Sequence, residues 1–156
     1  MPNFLEQLIA EWYEYQGFFI RRNVRVGKRP EGGFEGELDV VAFHPVEKHL
    51  VHVEASSDAN SWANRESQFL KKFDIGRKYI PELFKGFEPL PEIESIALLS
   101  EGSSRNHAAI GGGKVMMVGE LMSEIKKKIP NSLIAQVPEK YIILRTLQFA
   151  RDCWIS

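Results

Sequence analysis

Two short apolar runs, Leu38–Phe43 and Leu50–Ala55, limit what this chain can become more than any other feature. Both are apolar at nearly every position, so neither shows the alternation of a strand with one wet face. Strands of this kind are central ones, covered on both faces. Only Pro45 to Lys48 separate them if His44 faces His49, which suits a hairpin. Counting outward from that pair sets Asp39 opposite Glu54. Directly opposed side chains have Cβ atoms about 4.5–5.5 Å apart. Two carboxylates at that distance repel, and apolar surroundings make either charge costly. Such a pair survives if it shares a proton, if a cation bridges it, or if the register differs. A divalent metal best explains acids on otherwise apolar central strands, and an oxygen-only donor set suits magnesium or manganese. The plainer alternative is a hairpin end in solvent, where each acid pairs with Arg22 or Arg25.

The remaining pattern supplies the layers around these strands. Residues 3–16 read as a helix, with Leu5, Leu8, Ile9, Trp12 and Gln16 on one face, Asn3 as cap and Gly17 at the end. Phe18–Val26 reads as a strand. Strict alternation puts Phe18, Ile20, Val24 and Val26 on one side with Arg22, and Arg21, Asn23 and Arg25 on the other. A turn rich in Gly and Pro follows, from Gly27 to Gly33. Residues 59–80 form a long helix with Trp62, Phe69, Phe73, Gly76 and Ile80 on its buried stripe. Ser95–Leu99 and Val115–Val118 are strands, and residues 119–129 and about 138–152 are helices. The 156 residues make one α/β domain spanning 1–156, with a core of about 3–118 and a helical extension of about 119–154. The first three strands form an antiparallel meander, and the later ones, reached through helices, run parallel to a neighbour.

Composition removes several classes. The single Cys153 excludes a disulfide framework and a thiolate zinc cluster, and it lacks a histidine in sequence range to make it a nucleophile. No apolar run reaches the ~18 residues of a membrane span, and the opening residues do not read as a signal peptide, so the expectation is a cytoplasmic protein. The 20 basic and 21 acidic residues nearly cancel. Their distribution is uneven, however: Arg21, Arg22, Arg25, Lys28 and Arg29 cluster within one strand and its turn.

The stretch Gly36-Glu-Leu-Asp39, followed by Val-His-Val-Glu54-Ala-Ser56, resembles the core of the PD-(D/E)xK nuclease superfamily. Its restriction-endonuclease-like fold has an α-β-β-β-α-β core that matches residues 3–100 in order. Holliday-junction resolvases of that superfamily carry a helix glutamate eleven residues before a Gly-aromatic pair; here Glu6 lies eleven before Gly17-Phe18. The resemblance implies a metal-dependent DNA endonuclease, with Asp39, Glu54 and Glu6 at magnesium or manganese. It also implies that base pairing and phosphate geometry matter more than base identity. The family's third motif position is normally lysine, and here it is Ser56, whose hydroxyl is short and neutral. Either the cation has migrated or catalysis has been lost, leaving a degenerate module that binds nucleic acid or a protein partner. For migration the candidate is Lys72, on a helix flank with Arg65, Gln68 and Tyr79; Gln68 resembles the helix glutamine of some family branches.

Other residues carry two readings. His52 shares a strand face with Glu54 and Ser56, as a satisfied interior or edge histidine, or as a general base or a group supporting the site. Arg21, Arg25 and Lys28 could track a phosphate backbone, or guard an edge strand against pairing. Gly111-Gly-Gly-Lys114 lacks the spacing of a phosphate loop and reads as a flexible loop. The polar segment 103–107 reads as another loop, able to touch a nucleic-acid backbone. The last helix is apolar on more than one face (Tyr141, Ile142, Ile143, Leu144, Leu147, Phe149), which suits burial or a homodimer contact. No nucleophile elbow or Ser/His/Asp arrangement is present for a small-molecule hydrolase.

Overall fold

A computed structural model of the protein describes residues 3–57, 60–100 and 107–154. In order it contains α1 (Phe4–Tyr15), β1 (Phe19–Lys28), β2 (Phe34–His44), β3 (His49–Ser56), α2 (Trp62–Leu83), β4 (Ile93–Leu99), β5 (Ala109–Ile110), β6 (Gly113–Met117), α3 (Val118–Lys128) and α4 (Ile142–Cys153). The strands form one mixed sheet in the order β1-β2-β3-β4-β6-β5. β1, β2 and β3 are antiparallel neighbours, whereas β3–β4 and β4–β6 are parallel. The architecture is an α/β fold with C-terminal helices, as the alternation of strand and helix patterns predicts. No helix among the described residues is long and apolar enough to cross a membrane.

The sheet is covered on both faces, which is why β2, β3 and β4 are almost wholly apolar. On one face α1, α3 and α4 bury Leu8, Ile9, Trp12, Leu121, Ile125 and Leu144 against Val40, Ala42, Val51, Val53, Ile96 and Leu98. On the other face α2 sets Ile80 against Leu38, Val41, Phe43 and Leu50, and Phe69 and Phe73 against Ala97, Leu99 and Val115. Asn3 caps α1 by accepting from Glu6 N at 2.9 Å. Glu11, a buried acid of α1, accepts from the N–H groups of Ile143 and Leu144 at 2.9 and 3.3 Å. A carboxylate there satisfies two of the donors that a helix start leaves open, and so docks α4 onto α1.

Three local expectations are corrected. Strict alternation along β1 fails at Asn23, whose φ is 50°: Phe18 and Ile20 pack with α1, while Val24 and Val26 pack with α2. β2 changes face at the matching place, because Val40 and Ala42 lie with α1 and Leu38 with α2. Residues of one parity share a face only while the backbone stays extended, so Arg21 and Arg25 fall on opposite sides of the sheet. Next, Gly111 and Gly112 are not a loose loop. With φ of 56° and 81° they are the two-residue turn of the β5–β6 hairpin, the pattern of a type I′ turn. A Cβ on Gly111 would come within 2.6 Å of the Phe69 carbonyl carbon, so the turn sits directly against α2. Last, the buried stripe of α2 starts at Arg65, not Trp62.

Candidate active site

Asp39 and Glu54 come together as the hairpin count predicts. His44 pairs with His49, and the ladder runs to Val40↔Val53; one step further would set Asp39 against Glu54. There the pleat is broken by the change of face, and side chains take over the bonding. Asp39 N donates to Glu54 Oε1 at 3.2 Å, and Ala55 N donates to Asp39 Oδ2 at 3.0 Å. Each carboxylate is thus held by the backbone of the other's strand or its neighbour. Glu54 is fully buried and Asp39 is 8% exposed.

A cation joins them. Lys72 of α2 lies 2.5 Å from Glu54 Oε2 and 3.6 Å from Asp39 Oδ2. The lysine comes from α2, at the position the sequence offers as a candidate cation, and not from the end of β3, where Ser56 pairs with Leu99 of β4. The pairing of acids with Arg22 or Arg25 is not what forms, since Arg25 engages Glu37 at 3.5 Å and lies over the Phe34 ring. His52 completes the cluster with Nε2 2.7 Å from Glu54 Oε1.

These surroundings push the two acids apart. Burial, then the Glu54 charge, raises Asp39 from its usual 3.8 to about 7, against the opposing pull of Lys72. Burial also acts upward on Glu54, but the His52 hydrogen bond, with the His52 and Lys72 charges, outweighs it and holds Glu54 below its ordinary value. Burial acts downward on Lys72, and the two carboxylates more than offset that and raise it. Near neutral pH the cluster therefore holds an ionised Glu54, a charged Lys72, and an Asp39 balanced between its two forms.

Whether these residues suit a divalent ion turns on the donor set. Two carboxylates converging on one cation are hard oxygen ligands of the kind magnesium and manganese take. The Lys72 ammonium fills the place between them, so the pair already serves as a cation site. Glu6 was expected as a third ligand. It is buried, and its Oε2 has no hydrogen-bond partner. Among the described residues no group of three or more His, Cys, Asp or Glu side chains is placed to hold a metal, so Glu6 does not complete a three-carboxylate set. The set offered is Asp39 and Glu54.

The other expected residues are more scattered. Gln68 is exposed on α2, one turn before Lys72. Arg65, expected to meet phosphate, is 4% exposed, because it belongs to the buried stripe with Phe69 and Phe73; this corrects its assignment as a surface contact. Arg21, Arg22 and Lys28 are exposed on β1, an edge strand of the sheet. Residues 103–106 of the polar segment lie outside the described residues, while His107 stacks on Trp62 with ring centroids 3.7 Å apart. The last helix buries Leu144, with Tyr141 buried just before its start, and leaves Ile142 and Phe149 62% and 50% exposed. Sequence reasoning missed the capping role of Glu11, which depends on a contact 132 residues away.

No protein-family model matches the chain, and no curated protein matches its sequence. A crystal structure described as a protein of unknown function, AF1548, superimposes with a TM-score of 0.50 at 15% identity. The match covers 93% of this chain and 78% of the other. Identity this low speaks to the fold alone.

Proposed function

We propose that the protein is a metal-dependent DNA endonuclease of the PD-(D/E)xK type, in which Lys72 supplies the positive charge that Ser56 does not. The observation that carries this reading is the convergence of Asp39, Glu54 and Lys72 on one point, from β2, β3 and α2. Asp39 and Glu54 would hold magnesium or manganese. A bound ion of that kind lowers the pKa of its water and neutralises charge on a scissile phosphate. Lys72, raised and therefore fully charged, can donate to an anionic oxygen at the same point. Asp39, with its value near 7, can give up its proton at physiological pH to admit the ion. Arg21, Arg22 and Lys28 are free of the core and offer cations to a phosphate backbone, which would position DNA without reading its sequence.

The test is nicking of supercoiled plasmid and of branched DNA with magnesium or manganese, comparing the wild type with Asp39→Ala and Lys72→Met. Loss of nicking in both variants supports the reading; equal activity in the wild type and Asp39→Ala removes it. A second reading is a degenerate module that binds nucleic acid or a partner. It is favoured by the complete burial of Glu54 and by its saturation with His52, Lys72 and Asp39 N. Ser56→Lys separates the two: cleavage gained only in that variant marks a lost site, whereas unchanged cleavage marks a relocated cation.

A further inference from the structure

The two oxygens of Glu54 have different surroundings. Oε1 is filled from inside the protein, by His52 Nε2 at 2.7 Å and Asp39 N at 3.2 Å. Oε2 turns the other way, to Lys72 at 2.5 Å. An ionised carboxylate only accepts, so His52 Nε2 must carry the hydrogen. His52 itself is completely buried, with its ring edge-on to Phe73 at 5.4 Å between centroids. Its Nδ1 has no hydrogen-bond partner. A buried polar atom left unpaired is costly, and a leucine would fill the space more cheaply. What the imidazole offers that an apolar side chain does not is the hydrogen bond its other nitrogen makes to Glu54.

The space for that ring is made by a missing side chain. Gly76 lies in the middle of α2, where glycine is the poorest helix former after proline. A Cβ added to it would overlap His52, coming within 2.5 Å of Cε1. Alanine at position 76 would strengthen the helix locally and expel the imidazole from its seat.

We infer that His52 is a positioning residue that fixes the Glu54 carboxylate with Oε1 turned inward and Oε2 presented to the ion, and that the bare Cα of Gly76 is what admits it. Glu54 then ligates through one oxygen. Without His52 only the longer bond from Asp39 N holds Oε1, and the carboxylate turns more easily toward Lys72, which strengthens the internal ion pair at the expense of the metal. This inference rests on the metal-binding reading of Asp39 and Glu54.

The experiment is titration of the full chain with Mn²⁺ alone, followed by the paramagnetic resonance of the free ion, in the wild type, His52→Leu, His52→Gln and Gly76→Ala. Thermal unfolding of each variant is recorded beside it. Groups that orient a metal ligand cost about 10–100-fold in affinity when removed, and that loss is expected in His52→Leu and in Gly76→Ala, which touches no ligand. His52→Gln keeps an N–H donor near the place of Nε2 and is expected to recover most of the affinity. Should His52→Leu fail to fold, Gly76→Ala and His52→Gln carry the comparison. Wild-type affinity in a folded His52→Leu or in Gly76→Ala overturns the inference alone, as does a glutamine variant as weak as the leucine one. A wild type that binds no Mn²⁺ removes the metal reading and this inference with it.

Discussion

Asp39 and Glu54 clasp one another across β2 and β3: the amide of Asp39 is bound by the Glu54 side chain, and the Asp39 side chain is bound by the amide that follows Glu54. A regular antiparallel ladder would pair backbone with backbone at this step. Here the carboxylates replace it, at the place where β1 and β2 change face. The acids are therefore part of the strand pairing itself, and their charge state is coupled to the stability of the sheet.

That coupling has a definite sign for Asp39. Its folded value, about 7, lies above the ordinary 3.8. A carboxyl raised on folding contributes stability that is fully present below its unfolded pKa and is lost as pH rises through the folded one. The whole displacement is worth at most about 4 kcal/mol, at about 1.4 kcal/mol per pH unit. Asp39→Asn, which keeps an acceptor for Ala55 N but carries no charge, is expected to stabilise the protein by about 1–3 kcal/mol at pH 8 and by much less at pH 4. Urea unfolding at the two pH values checks this. A variant less stable than wild type at pH 8 contradicts it.

Removing the shared cation acts in the opposite direction. Lys72→Met leaves two buried acids with their backbone and His52 hydrogen bonds but without the cation they share. Breaking a fully buried pair costs about 3–5 kcal/mol, but the Lys72 side chain is 42% exposed, and solvent reduces the loss to about 1–3 kcal/mol. The Asp39 carboxyl is expected to titrate above its wild-type value, because Lys72 is the charge that holds it down. Carbon-detected NMR titration of Asp39 in both proteins measures the difference, and an unchanged midpoint would show that Lys72 does not act on it.

Metal binding should compete with that same proton. Ligating carboxylates must be ionised, so the affinity of the Asp39–Glu54 pair for Mn²⁺ is expected to fall about tenfold per pH unit below pH 7 and to level off above it. Calorimetric titrations in buffers of different ionisation enthalpy would register one proton released per ion at pH 6. Affinity independent of pH between 5 and 8 would place the ion elsewhere.

The exposed cations of β1 predict a salt effect rather than a sequence effect. If the proposed function holds, Arg21→Ala, Arg22→Ala and Lys28→Ala each weaken DNA binding uniformly across sequences and lower the salt slope by about 1. Fluorescence anisotropy with two unrelated duplexes over a range of salt tests this. Arg65→Ala, at a buried position, is expected to lower the melting temperature instead.

Much of this was legible in the sequence because it depends on short-range pattern. The four-residue connection and the apolar runs on either side of it set the register that brings Asp39 to Glu54. The spacing along α2 put Lys72 beside the buried stripe. What escaped depends on long-range or backbone detail. The positive φ of Asn23 has no signature beyond asparagine's tolerance of that region, yet it turns the second half of β1 over. The burial of Arg65 follows from where α2 meets the sheet, which periodicity alone fixes only to within a turn. Glu11 reads as one more acid on a helix until α4 is folded against it.

The central claim is that Asp39 and Glu54 together make a seat for a divalent ion. The most direct measurement is anomalous diffraction from a crystal grown in manganese. The account predicts a peak between the two carboxylates, bonded to Glu54 through Oε2, with the Lys72 ammonium displaced from its position between them. A crystal saturated with manganese in which that point holds no anomalous signal, and Lys72 still bridges both acids, would contradict it.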